Sequence, residues 1–117
     1  MAQCSYSVQY AEYDFDQVDE KGTAFLSDIM AAFDAFDWNA QVRAAKQLQK
    51  CSPTFSVRDA AGKRVFWVSA YAEPELKFVN DYSEGGAGRE LSVAEARQAI
   101  QLFVEGKHDA LLKLLKG

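Results

Sequence analysis

Polar and apolar side chains alternate along residues 3–10, QCSYSVQY: Cys4, Tyr6, Val8 and Tyr10 fall on one side, and Gln3, Ser5, Ser7 and Gln9 on the other. A period of two is the signature of a half-buried strand. An acidic connector, residues 11–22, follows and closes on Lys21-Gly22, with Thr23 placed to cap a helix. Leu26, Ile29, Met30, Phe33 and Phe36 then recur at helical spacing, opposite Ser27, Asp28 and Asp34. A second helical pattern, DWNAQVRAAKQLQK, sets Val42, Ala45 and Leu48 against Arg43, Lys46 and Lys50. Its stripe is out of phase with the first, which predicts a break near Asp37–Asn39; one long kinked helix across 24–50 is the alternative. Ser52-Pro53 ends the helical region, because a residue before proline avoids helical geometry.

The pattern then turns to sheet. TFSVRD and RVFWVSAYA flank DAAG, a connection of hairpin length with Asp first and Gly last. The second of these strands is apolar on both sides, with Phe66, Val68 and Ala70 on one face and Val65, Trp67 and Tyr71 on the other, as in a central strand. ELKFVNDY, after Glu73-Pro74, completes a three-strand meander. At the C-terminal end Ser92 and Glu95 form a capping box, Val93, Ala96, Ile100 and Phe103 make a buried stripe, and Gly106 stops the helix before a last short one, HDALLKLLKG. The order β-α-α-β-β-β-α-α predicts one α+β domain over residues 1–117, with helices packed on a small antiparallel or mixed sheet.

Length and composition agree with this. A chain of 117 residues, 49% hydrophobic and 26% charged, is in the ordinary globular range. It should bury about 65% of its unfolded surface without staples. Cys4 and Cys51 are too few for a disulfide scaffold and are read as free thiols, with a Cys4–Cys51 bridge as the alternative. The N-terminus shows neither a basic n-region nor an apolar h-region, and no apolar run reaches bilayer length, so the expectation is a cytoplasmic protein that does not enter membranes.

Charge is distributed unevenly. Residues 1–37 carry eight acids (Glu12, Asp14, Asp16, Asp19, Glu20, Asp28, Asp34, Asp37) against Lys21, a net of −7. Residues 38–64 carry Arg43, Lys46, Lys50, Arg58, Lys63 and Arg64 against Asp59, a net of +5. Such a layout either steers a charged partner or neutralises itself within the fold.

Most candidate chemistry fails on inspection. Gly85-Gly86-Ala87-Gly88 runs into a helix start, but the third glycine of a dinucleotide fingerprint and the lysine of a P-loop are missing, and acids flank it. It is read as a connector rather than an anion site. An EF-hand beginning at Asp14 would meet Val18, Asp19 and Phe25 where ligands and a glycine belong. His108, the single histidine, has no triad or zinc set around it in sequence and is read as exposed or capping. Arg43, Lys46 and Lys50 form a basic stripe, but a pI near 4.9 argues against nucleic acid as the partner. No catalytic residue, cofactor or metal is nominated, and the balance leans away from an enzyme.

Two sites remain. Tyr13, Asp14, Asp16, Asp19 and Glu20 would form an acidic, aromatic surface for a basic protein partner, which makes a non-enzymatic binding module the first expectation. In size and charge the chain is similar to toxin-neutralising immunity proteins, a likeness no motif carries. The alternative is a small-molecule-binding domain or minor enzyme with a pocket between sheet and helices around Trp67, Tyr71 and Phe78. Self-association through a strand edge is a third possibility. Tyr13 is expected at the surface, whereas Trp67 leans towards packing.

Overall fold

Alternation builds the first strand as expected. In the computed structural model, which describes residues 4–61, 63–87 and 89–117, β1 spans Cys4–Gln9 and buries Cys4 and Val8. The acidic connector differs from expectation, because its end is a second strand, β2, Asp19–Ala24, antiparallel to β1. Thr23 therefore pairs with Ser5 instead of capping a helix. The backbone ladder outweighs the cap, and α1, Leu26–Ala35, starts behind Phe25 with no side-chain cap. Gly22 takes φ 77° beside the bulge that shifts the β1–β2 register, a conformation a side chain would strain. Strand β2 is the edge of the sheet, and its charged Asp19, Glu20 and Lys21 discourage pairing with another chain.

The helical region is two helices. α1 ends at Ala35, and α2, Trp38–Leu48, begins at Asp37, whose carboxylate accepts the Ala40 N–H at 3.2 Å. α2 stops at Leu48 because Gln49 turns left-handed (φ 56°), ahead of Ser52-Pro53. The meander follows as β3 (Thr54–Arg58), β4 (Val65–Ala72) and β5 (Lys77–Tyr82). Asp59 closes the β3–β4 turn by accepting the N–H groups of Lys63 (2.9 Å) and Arg64 (3.2 Å); Gly62, the last residue of the expected hairpin connection, lies outside the described residues. The glycine loop is itself part of the sheet. Gly86–Ala87 is strand β6, paired with Tyr82 and Asp81 through a turn at Gly85 (φ 107°); Gly88 lies outside the described residues. Leu91–Ser92, β7, also pairs with β5. The order across the sheet is β2-β1-β3-β4-β5-β6, antiparallel throughout the described pairs.

The last two helices, α3 (Val93–Val104) and α4 (His108–Lys116), join α1 and α2 on one face of this sheet. Cross-strand rows Tyr6–Val57–Phe66–Tyr82 and Val8–Phe55–Val68–Asn80 point at them, as does Phe78 with its neighbours Ala70 and Leu91. Of the expected α3 stripe Ala96, Ile100 and Phe103 are buried with Ala99 and Val104, while Val93 stays exposed in the first turn. In the α2 stripe Val42 is buried but Leu48 lies exposed at the helix end. Cys4 and Cys51 are buried free thiols, and burial pushes the Cys4 thiol up from its usual range.

The capping box at α3 is fully formed: the Ser92 hydroxyl accepts the Glu95 N–H (3.2 Å), and Glu95 accepts the Ser92 N–H (3.0 Å). These bonds to its carboxylate, with Arg89 beside it, hold Glu95 below the usual carboxylate range. Arg89 also donates to the Leu114 carbonyl at 2.8 Å and so fastens the end of α4 to the start of α3. Replacing Ser92 by Ala should lower unfolding stability by about 1 kcal/mol, measurable by urea titration, with an unchanged far-UV spectrum.

Candidate functional site

Helices cover one face of the sheet; the other carries the outward half of each alternation. Three cross-strand rows lie there: Gln9–Thr54–Ser69, Ser7–Ser56–Trp67 and Ser5–Arg58–Val65. Serine and threonine on the adjacent strands β1 and β3 are short, so this face is hollow between taller neighbours. The hollow has two connected parts of about 360 and 210 Å³ that share Ser7, Val18 and Ser56. One wall is Trp67 and Val65 of β4; the other is Phe15 and Val18 of the segment between β1 and β2, with Glu20 at the end nearest Arg58. Thr54 and Ser69 share a hydrogen bond of 2.5 Å between their hydroxyls, which keeps that end of the floor in place.

The segment 10–18 forms the second wall because it is pinned. Gln9 Nε2 donates to the carbonyls of both Phe15 and Gln17 at 3.0 Å. Gln41 of α2 accepts the Ala11 N–H at 2.7 Å, and Lys50 Nζ donates to the Glu12 carbonyl at 3.1 Å. Tyr10 stacks on Phe36 at 5.3 Å and meets Tyr13 edge-on at 5.1 Å. With these anchors the chain holds Phe15 with 90% of its surface exposed. Nothing in folding rewards that position, since a phenylalanine outside the core forgoes its burial free energy.

The predicted acidic site is thus partly assembled. Asp14, Asp16 and Glu20 are exposed around Phe15 and Val18. Asp19 is different: it accepts the Tyr13 hydroxyl at 2.8 Å and lies 3.8 Å from Lys21, so it braces the loop. That bond pushes the Tyr13 phenol up to about 12, and Tyr13 is half-buried rather than displayed. Phe15 was not among the predicted site residues, although its place between Asp14 and Asp16 was a usable signal.

The predicted pocket around Trp67, Tyr71 and Phe78 is corrected by strand geometry. Trp67 and Tyr71 point to the helix-free face, Trp67 half-buried in the trough wall and Tyr71 42% exposed. Phe78 points the other way, with no exposed surface, against Phe33 (6.2 Å) and edge-on to Trp38 (4.9 Å). Residues on opposite faces of a sheet cannot line one cavity, and the space between sheet and helices at Phe78 is packed.

The basic stripe is largely used within the fold. Arg43 and Lys46 reach Glu73 at 3.5 and 3.8 Å, and Lys50 reaches Asp14 at 3.1 Å. Among the described residues, Asp14–Lys50 is the one ion pair between the acidic first third and the basic second. Mutual neutralisation of the two segments is therefore slight, and Glu12, Asp16 and Glu20 keep their charge towards solvent.

His108 is neither exposed nor a cap. Its ring stacks on Tyr82, accepts or donates at Nδ1 with the Tyr82 hydroxyl at 2.6 Å, and stands edge-on to Phe103 at 5.5 Å. Burial, helped by the charge of Arg64, lowers its pKa, while Asp59, Glu84 and Asp109 pull weakly the other way. A depressed imidazole pKa means the unfolded chain binds the extra proton first, near pH 6.5. The stability it contributes is therefore complete above that value and is lost as pH falls. Thermal midpoints should drop between pH 7 and 5.5 in the natural chain and drop less in His108→Gln.

No helix among the described residues is long and apolar enough to cross a membrane. No protein-family model matches the chain, and no curated protein or solved structure is significantly similar to it. Function must be argued from this surface.

Proposed function

We propose that the protein is a binding module for another protein, recognising a basic partner through the helix-free face of the sheet and the acidic loop that overhangs it. The observation that supports this most is Phe15, an almost fully exposed aromatic on a loop held by Gln9, Gln41 and Lys50. Exposed aromatics on ordered backbone are typical anchors of interfaces, because they bury much area while little conformational freedom is lost. Around it Glu12, Asp16 and Glu20 present negative charge, with Asp14 exposed beside its partner Lys50, which suits a cationic surface. Trp67, Tyr71 and Val79 extend the same face as partly exposed apolar surface. The partner chemistry is thus apolar at the centre and basic at the rim.

Affinity capture from the native source, washed at rising salt and read by mass spectrometry, tests the reading. One stoichiometric basic protein should be retained at low salt and released as salt rises. The variant carrying Asp14→Asn, Asp16→Asn and Glu20→Gln should bind it more weakly and with a shallower salt dependence. Asp19 is left intact, because it braces Tyr13. Equal binding and equal salt dependence in this variant would remove the proposal.

A further inference from the structure

We infer that the trough beside the loop receives an extended segment of the partner carrying basic side chains, laid along β1 and β3. This rests on the binding-module reading and adds a second contact to the Phe15 anchor. The trough runs from the Gln9–Thr54 row to the Ser5–Arg58 row. Five residues of strand cover about 14 Å, the length of four or five residues of extended chain, whereas a compact small molecule would fill only one end. The floor hydroxyls of Ser7 and Ser56 can each donate and accept, as an extended backbone requires. Walls of Trp67 on one side and Val18 with Phe15 on the other accept apolar side chains projecting sideways.

Charge selects the rest of the occupant. Glu20 lines the trough, and the loop wall above it carries Asp16; neither has an ion-pair partner among the described residues. Lysine or arginine on the loop side of the segment meets these carboxylates. Arg58 is the one cation lining the trough and lies at the same end as Glu20, where it can donate to carbonyl oxygens of the segment. An acidic segment would face the carboxylates of the whole loop wall.

The experiment is a phage-displayed random heptapeptide library panned at low salt on the intact protein. Enriched peptides are then synthesised and titrated by fluorescence polarisation against the natural chain, Ser56→Trp and Trp67→Ser. Ser56→Trp fills the floor, while Trp67→Ser removes a wall without adding bulk, so a folding defect in the first leaves the second decisive. We expect peptides with lysine or arginine next to apolar residues, binding at least tenfold more weakly to both variants. No enrichment, an acidic consensus, or affinity unchanged in both variants would overturn the inference. Enrichment of neutral sugars on a glycan array with none on the peptide library would overturn it in favour of a saccharide. The loop-carboxylate variant leaves the floor and the Trp67 wall intact, so failure of the binding-module reading shows there and failure of the trough shows here.

Discussion

Phe78→Ala should cost about 3–5 kcal/mol of stability, the largest single loss expected in this chain. The residue has no exposed surface and lies against Phe33 and Trp38, with Trp38 in turn holding its indole N–H on the Phe33 carbonyl at 3.3 Å. Phe33 continues the cluster to Phe55 at 5.5 Å, so the cavity would open where sheet, α1 and α2 meet. Neighbours committed to one another on three elements cannot collapse into it, which places the cost towards the upper end. Domains of this size are commonly stable by about 5–15 kcal/mol, so much of the total would go. Urea unfolding followed by tryptophan fluorescence measures it. A loss below about 1 kcal/mol would mean that Phe78 does not tie the sheet to α1 and α2, and would reopen that region as a site.

Phe15→Ala should do the reverse: stability within about 0.5 kcal/mol of the natural chain, with partner affinity reduced tenfold or more. Truncating an interface anchor commonly costs over 1 kcal/mol, and tenfold corresponds to about 1.4 kcal/mol. The stability half follows from its 90% exposure, since the mutation removes a side chain that touches little. The loop survives it, because Gln9 bonds to the main-chain carbonyl of residue 15 and not to its ring. The change should appear mainly as faster dissociation, whereas neutralising Asp14, Asp16 and Glu20 should mainly slow association. Paired thermal melts and surface-plasmon kinetics on the captured partner separate the two. A destabilised variant would mark Phe15 as structural, and unchanged affinity would move the interface elsewhere.

Much of the architecture was legible before the structure. Period-two alternation placed β1, an apolar run on both faces placed β4 within its meander of β3 and β5, helical spacing placed α1, α2 and α3, the Gly106 stop set off α4, and the Ser92–Glu95 box marked the start of α3 to the residue. These are local matters: side-chain periodicity, caps and turns act within a few residues, so the sequence carries them openly. Three strands were missed for the same reason in reverse. DEKGTA has neither the apolar residues nor the alternation of a strand, and it forms β2 only because β1 offers its free edge. Gly86–Ala87 and Leu91–Ser92 likewise take their strand form from β5.

The candidate site divides along the same line. That the first third is acidic and aromatic, and that Asp14, Asp16 and Glu20 would meet solvent, was written in the sequence. Which aromatic would be displayed was not, because it depends on hydrogen bonds with Gln9, Gln41 and Lys50, the last two 30 and 38 positions away from the backbone they hold. Trp67, Tyr71 and Phe78 looked equivalent as aromatics near one another in the chain. Strand parity and register sent the first two to the open face and the third to the core, and only the assembled sheet could set serines from β1 and β3 side by side to make a trough. Sequence determined the elements and the charge of the surface; tertiary pairing determined which side of the sheet is covered, because burial is a property of neighbours brought together from distant positions.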